Sequence, residues 1–504
     1  LRPAAQIDVK GAHVAQDTPD IRFWLNPASE CTTTPAENFF VERVPFWARL
    51  RNAQREDVRQ FTRRRGLLVA HPCSGGKTLT GIAAAHVSGF PVLICAPAIA
   101  RGVWTSELKK WAPGVRLMHL RGRDAQALTG QEADFYFVNY EVLAFWGPKL
   151  TGVDWKTVIL DEAHEIRGRR SKRVIDGYRR AVALSCPHVI GLTATPIWNR
   201  LDGLWTLLDF IHPGWFGTYG AFVKRYMNAE ISWQHGGLVL GKATNTAELQ
   251  GRLGYTIRRL SVEELLPELP DMERLPVFVE NEGAAARLQQ AVSNMAAKSA
   301  HGDLTTEQVR QVLGTALQRE TKLKLPALRE FIEARPGKKI LVAAQYKASV
   351  VSIAQSLAGY VDEIHSFTGD QTLEQRMAIF ARIASLPADK TAAVVCTMAS
   401  ARQSIDASCM DGVAILELPW TVEELIQFEG RVRRVTRTAD VEAGYFVVDA
   451  SIDRHLLEML ASKFDERSAA LGEAPDDFDF SALLSTALTG RTSTRAELLA
   501  QFGL

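Results

Sequence analysis

Short apolar runs alternate along this chain with longer segments of helical pattern. The first series is "GLLVA" (66–70), "PVLICAP" (91–97), "DFYFVNY" (134–140), "KTVILDEAH" (156–164) and "HVIGLTATP" (188–196). A second follows: "KKILVAAQ" (338–345), "VDEIHSF" (361–367), "AAVVCT" (392–397), "GVAILEL" (412–418) and "AGYFVVD" (443–449). Continuous apolar strands separated by helix-length segments predict parallel sheets covered by helices on both faces. Two such series predict an α/β protein of two domains. The pattern places them at 46–215 and 336–465, after an N-terminal extension at 1–45. Between them, 216–335 is mostly helical in pattern and carries "LLPELPDMERLP", whose prolines mark a linker. From "GEAPDDFDF" onward, within a tail at 466–504, a polar joint precedes a short helix. Neither an internal repeat nor a low-complexity tract interrupts this organisation.

Residues 71–78 read "HPCSGGKT", between an apolar strand and a helical segment. A Gly-Lys-Thr in a turn is common, but this position gives it a chemistry. Backbone N–H groups of Gly75, Gly76 and Lys77 can converge on phosphate oxygens at the positive end of a helix. Lys77 would reach the β and γ phosphates and Thr78 would hold Mg²⁺. His71 stands where the usual pattern has its first glycine, and Ser74, Gly75 and Gly76 then supply the bend. A Mg²⁺ site needs a second anchor, which "VILDEAHEI" (158–166) provides at the C-terminal edge of a strand. Asp161 suits the metal-water shell and Glu162 suits polarising the attacking water. The plainer reading, acidic residues at a helix start, does not account for the order of the two motifs.

"LIQFEGRVRRVTR" (425–437) supplies the complementary charge. On a continuous helix Gln427, Arg431 and Arg434 fall at i, i+4 and i+7, on one face. Two arginines entering a cleft from a second domain match the need of a γ-phosphate transition state. A basic helix surface would be the ordinary alternative. ATP and Mg²⁺ are the ligands these motifs imply.

Composition changes little in this picture. Apolar residues make up 46% and charged residues 23%, with a net charge of +2. Near-neutrality does not announce a nucleic-acid partner, although "RQFTRRR" (59–65), "RGRRSKR" (167–173) and "RVRRVTR" (431–437) are local basic clusters. Six scattered cysteines form no C-x-x-C pair, which favours a reducing interior. No apolar run approaches the roughly 20 residues of a membrane span, and the start at Leu1 does not read as a secretory signal. A cytoplasmic location is expected, in a bacterial or viral-host cell, with the nucleus as the alternative.

GKT, DEAH and "GLTATP" (191–196) together resemble superfamily-two helicases and translocases, whose core is a pair of RecA-like domains with ATP in the cleft. The resemblance spans about 48–450. It implies that Gln54, in "LRNAQREDV" (50–58), reads adenine, and that Thr193-Ala194-Thr195 couples hydrolysis to nucleic-acid movement. Several stretches are similar to the Swi/Snf-type ATPases, which translocate on double-stranded DNA. They are "VLICAPAIARGVWTSELKKWAP" (92–113), "VNYEVL" (138–143), "TPIWNRLDGLWTLLDFIHPGWFG" (195–217), "YTIRRLSVEELLPELPDMER" (255–274) and "FTGDQTLEQRMAIF" (367–380). "ILELPW" with "LIQFEGRVRR" is similar to the annealing-helicase branch. Two departures stand out: Gly203 replaces a common acid, and "MASARQSIDAS" (398–408) lacks the family's glycines while keeping Ser404 and Asp406 in place.

The resemblance implies a DNA-dependent ATPase moving on duplex or branched DNA, in fork, recombination or protein–DNA remodelling. Candidate DNA contacts are Arg101, Trp104, Asn139, Tyr140, Thr193 and Thr397, acting on the backbone without reading sequence. A strand-separating helicase on DNA or RNA is one alternative. A motor subunit partnered in a restriction, defence or repair assembly is another.

Overall fold

A computed structural model describes residues 37–123, 127–166, 186–197, 200–232, 237–280, 306–401, 405–434, 437, 439–448 and 451–472. Two parallel sheets organise it. In the first, β1 (Gly66–Val69), β2 (Val92–Ala96), β3 (Leu117–Leu120), β4 (Phe135–Asn139), β5 (Thr157–Asp161) and β6 (His188–Leu192) run parallel, with helices connecting β1 to β2, β2 to β3 and β4 to β5. A hairpin of β7 (Glu230–Ser232) and β8 (Gly237–Val239) follows, and β9 (Ile257–Arg258) returns to the sheet edge. The spatial order is β3-β4-β2-β5-β6-β1-β9. Successive side chains of a strand enter opposite cores: Leu68, Leu93, Tyr136 and Leu160 on one face, Leu67, Ile94, Phe137 and Ile159 on the other. Burial on both faces is why these strands read as unbroken apolar runs.

The second sheet contains β10 (Met272–Val279), β11 (Lys339–Ala344), β12 (Glu363–Phe367), β13 (Ala392–Thr397), β14 (Gly412–Ile415) and β15 (Val441–Val448). Its order is β10-β15-β14-β11-β13-β12, again with helices on both faces. The chain is therefore α/β with two RecA-like lobes. Among the described residues no helix is long and apolar enough to cross a membrane.

Five strands were not legible in the hydropathy pattern: the short β7–β8 pair, β3, β9 and β10. Strand β3 carries His119 among Leu117, Met118 and Leu120 and is only partly buried. Strand β9 spans two residues. The "DMERLP" segment, expected as linker, begins β10, which pairs in full register with Val441–Val448. Pro276 is tolerated there because β10 is an edge strand with one neighbour, so its missing N–H breaks no central ladder.

The lobes meet through more than their connecting segment. The Ile452–Leu471 helix, which crosses the boundary expected at 465, buries Leu456, Leu457, Leu460 and Phe464 in the second lobe. Its last turn places Ala470 in the core of the first, and Ala469 O accepts from Gln250 Nε2 at 2.5 Å. Near its start Asp453 Oδ2 takes the ammonium of Lys324 at 2.6 Å, both side chains fully buried. Removing either partner would leave an uncompensated charge in the core.

Candidate functional site: the cleft between the lobes

The loop from His71 to Gly76 leaves β1 and feeds the Lys77–Ser88 helix. Ser74 (φ 67°) and Gly76 (φ 73°) both take left-handed backbone, which turns the chain into the helix within two residues. Lys77 folds back over the loop, its Nζ donating to His71 O and Pro72 O at 2.9 Å each. The Gly75 N–H, expected to face phosphate, here donates to Pro72 O at 3.3 Å.

Strand β5 delivers Asp161 and Glu162 beside this lysine. Trp104 Nε1 donates to Asp161 Oδ2 at 2.8 Å, the Glu162 N–H donates to Asp161 Oδ1 at 3.0 Å, and the Tyr140 hydroxyl donates to the Asp161 carbonyl at 2.7 Å. Burial raises the Asp161 carboxyl above its ordinary range, opposed by the Trp104 hydrogen bond and the Lys77 charge. Glu162 is raised by burial and by the neighbouring Asp161, opposed by Lys77 and Arg431. Glu162 also has φ 46°, a left-handed conformation that a glutamate adopts only when its surroundings impose it. Its Oε2 lies 3.4 Å from His164 Nδ1. Two adjacent acids under one ammonium form a donor set suited to a hard divalent cation or an activated water.

Behind the acids, His164 Nδ1 lies 3.0 Å from Thr193 Oγ1, and the Thr195 N–H donates to Thr193 Oγ1 at 3.1 Å. The DEAH and TATP segments are thus in direct contact.

The second lobe closes over the loop. Its Val422–Val432 helix buries Leu425, Phe428 and Val432 and turns Gly430 toward Cys73. A Cβ on Gly430 would stand 3.0 Å from Cys73 Cβ, so only glycine allows this approach without displacement. Arg434 Nη1 donates to Ser74 Oγ at 2.7 Å, directly across the cleft. Arg431 is near enough for its charge to act on Glu162. The single continuous face expected for Gln427, Arg431 and Arg434 is corrected here: the helix ends at Val432, and Arg433 is extended (ψ 98°). Arg434 reaches the loop from irregular backbone, while Gln427 is buried within the helix.

A family model described as the SNF2-related domain matches residues 29–326, more than half of the chain. The chain belongs to the SNF2-related family. The helicase conserved C-terminal domain matches residues 323–436. Among curated relatives, a Xenopus tropicalis "SWI/SNF-related matrix-associated actin-dependent regulator of chromatin subfamily A-like protein 1" is 27% identical over 84% of this chain and 44% of its own length. The Bos taurus "DNA annealing helicase and endonuclease ZRANB3" is 23% identical over 88% of this chain and 43% of its own. The chain therefore spans less than half the length of these relatives. A solved structure of the Sulfolobus solfataricus SWI2/SNF2 ATPase core in complex with dsDNA aligns at 20% identity and TM-score 0.42, covering 86% of this chain and 94% of that one.

Other expected positions in this SNF2-related chain are also corrected. Gln54 is buried and engaged at both ends of its amide, accepting from Arg51 N at 2.9 Å and donating to Gly76 O at 3.0 Å. It braces the phosphate loop. Trp104 is fully buried against Asp161 and cannot meet DNA; it orients the acid. Thr193 is likewise fully buried, held to His164. Thr397, Asn139 and Tyr140 are buried with internal partners: Thr397 donates to Ser400 Oγ, Asn139 to Glu141 and Tyr140 to Asp161 O. Arg101 alone of the six is not buried, and its Nη2 donates to Asn139 Oδ1 at 3.4 Å. The basic run at 167–173 and Ser404 lie outside the described residues.

Sequence reasoning missed the Trp104–Asp161 bond and a buried Asp57–His71 pair joined by the partly exposed Arg258. One signal was available for the latter. Gln54, Asp57, Val58 and Phe61 share one helical stripe, and a carboxylate on a stripe with Val58 and Phe61 requires a buried partner.

Proposed function

We propose that this chain is an ATP-dependent double-stranded DNA translocase, with ATP hydrolysed in the cleft between its lobes. The observation that carries the reading is the reach of Arg434, from the second lobe, to Ser74 of the phosphate loop, where Lys77, Asp161 and Glu162 converge. Lys77 exchanges its carbonyl partners for phosphate oxygens. Glu162 orients and polarises the attacking water, and Arg431 and Arg434 stabilise charge developing on the transferred phosphoryl group. Thr78, half-exposed at the helix start, and Asp161 are the residues that would hold Mg²⁺, which supplies charge neutralisation on the phosphates when bound. Because the arginines and the lysine belong to different lobes, binding favours closure and hydrolysis removes the ligand that links them.

DNA as the partner is supported by the family membership and by relatives named as DNA annealing helicases. Arg101 remains the DNA contact of the original six, binding backbone without sequence preference. A compartment that holds DNA, cytoplasmic or nuclear, follows from this reading.

Movement along a duplex predicts a specific result. With ATP, the chain should displace the third strand of a DNA triplex while leaving a forked duplex unseparated, in a gel-based assay of both substrates. Strand separation without triplex displacement would instead make it a conventional helicase.

A further inference from the structure

The segment joining the lobes does not simply span them. It enters the first sheet as β9, whose Arg258 carbonyl accepts from Ala70 N at 2.8 Å, one residue before the phosphate loop. The Arg258 side chain then turns inward: Nε lies 3.2 Å from Asp57 Oδ1. Asp57 is fully buried, and its other neighbour is the fully buried His71, whose Nε2 is 3.1 and 2.9 Å from the two carboxylate oxygens. The carbonyl of His71 is one of the two that hold the Lys77 ammonium. An unbroken chain of contacts therefore runs from linker to Arg258, Asp57, His71 and Lys77.

The linker continues over the outer side of the same loop. Leu265, buried, packs its Cδ2 onto Gly75 so closely that a Cβ there would lie 2.6 Å away. Glu268 Oε1 pairs with Arg51 Nη2 at 2.8 Å, at the start of the helix that carries Gln54. Beyond this, Arg274 on β10 forks onto Glu429, with Nε–Oε1 at 3.1 Å and Nη2–Oε2 at 2.7 Å, and the Tyr445 hydroxyl donates to the same carboxylate at 2.5 Å. Glu429 precedes Gly430 and Arg431. One end of the linker is thus pinned under the lysine and the other behind the arginine helix.

We propose that the inter-lobe linker is a positioning element of the nucleotide site, in which Arg258 and Asp57 fix His71, and Leu265 seats Gly75, so that linker geometry sets the phosphate-loop conformation. The proposal rests on the cleft being the ATP site. It also gives His71 a reason to stand at the start of the loop: a glycine there could not reach Asp57. Arg258 and Asp57 touch no phosphate themselves. They act through the loop, and displacement of a binding group by a distant substitution can cost up to about a hundredfold.

The test uses the 504-residue chain, with ATP hydrolysis measured against ATP concentration at saturating duplex DNA, and binding of a fluorescent ATP analogue measured directly. Arg258→Gln should raise half-saturation for ATP by about tenfold or more with a smaller change in maximal rate. Arg258→Lys, which keeps a cation beside Asp57, should recover most of the loss. The effect of Asp57→Asn should be non-additive with it, because the two residues belong to one network. An unchanged half-saturation in Arg258→Gln, or strict additivity, overturns the proposal. Should Arg258→Gln fail to fold by thermal melting, Leu265→Ala reads the same coupling from the other side of the loop. That variant should also weaken ATP binding, and unweakened binding overturns the idea. A wild-type chain whose ATP binding is absent, or survives Lys77→Ala undiminished, overturns the cleft reading and this proposal with it.

Discussion

Lys77→Ala should lower ATP turnover by at least about 10²–10³-fold, measured as phosphate release with duplex DNA present. The reason lies in what its ammonium offsets. Asp161 and Glu162 stand side by side, and the Lys77 charge opposes the rise that burial imposes on both carboxyls. Without it, an incoming triphosphate would meet two acids and no counter-charge from the loop. Lys77→Arg is expected to fail as well, since a planar fork does not replace a compact ammonium seated between two carbonyls 2.9 Å away. The loss should be one of chemistry and binding, not of folding. Lys77 is half-exposed and belongs to neither apolar core. Turnover that survived Lys77→Ala would place the nucleotide elsewhere.

Arg434→Ala and Arg431→Ala should each spare ATP binding and reduce hydrolysis, by about 10³–10⁵-fold if they act as transition-state arginines in other phosphoryl-transfer sites do. The two should differ in one respect. Arg434 donates to Ser74 across the cleft at 2.7 Å, so its loss also removes a contact between the lobes. Arg431, facing Glu162, makes its contribution beside the water-activating acid. Arg434→Ala should therefore loosen the closed form, seen as faster proteolysis or a larger radius in the ATP-bound state, while Arg431→Ala should leave closure intact. Normal turnover in both variants would dismantle the two-sided site.

The sheets were legible because their strands are buried on both faces, so strands such as "GLLV" and "AAVVCT" carry no polar interruption strong enough to hide them. Edge strands lack that signature. Met272–Val279 mixes Glu273, Arg274 and Pro276 with apolar residues because one side has no neighbour. The loop, the acids and the arginines were legible because phosphate chemistry restricts residue type and order. What the sequence could not reveal was which side chains serve those residues. Trp104 stood among the candidate DNA contacts, and it is the donor that holds Asp161. Arg434 looked helical because periodicity continues past Val432, whereas the helix stops where Arg433 turns its Nε to Pro270 O at 2.7 Å. Gln54 has the right position for a base contact, yet its amide is buried and held by the Arg51 N–H and the Gly76 carbonyl. In each case the deciding partner is distant in sequence or belongs to the backbone, and neither leaves a pattern in residue types.

The rate of ATP hydrolysis by the wild-type chain, with and without duplex DNA under otherwise identical low-salt conditions, tests the account most directly. A marked rise on adding duplex, lost in Arg434→Ala and reversed by salt, is the predicted result. A rate indifferent to duplex, or raised by RNA alone, would contradict it.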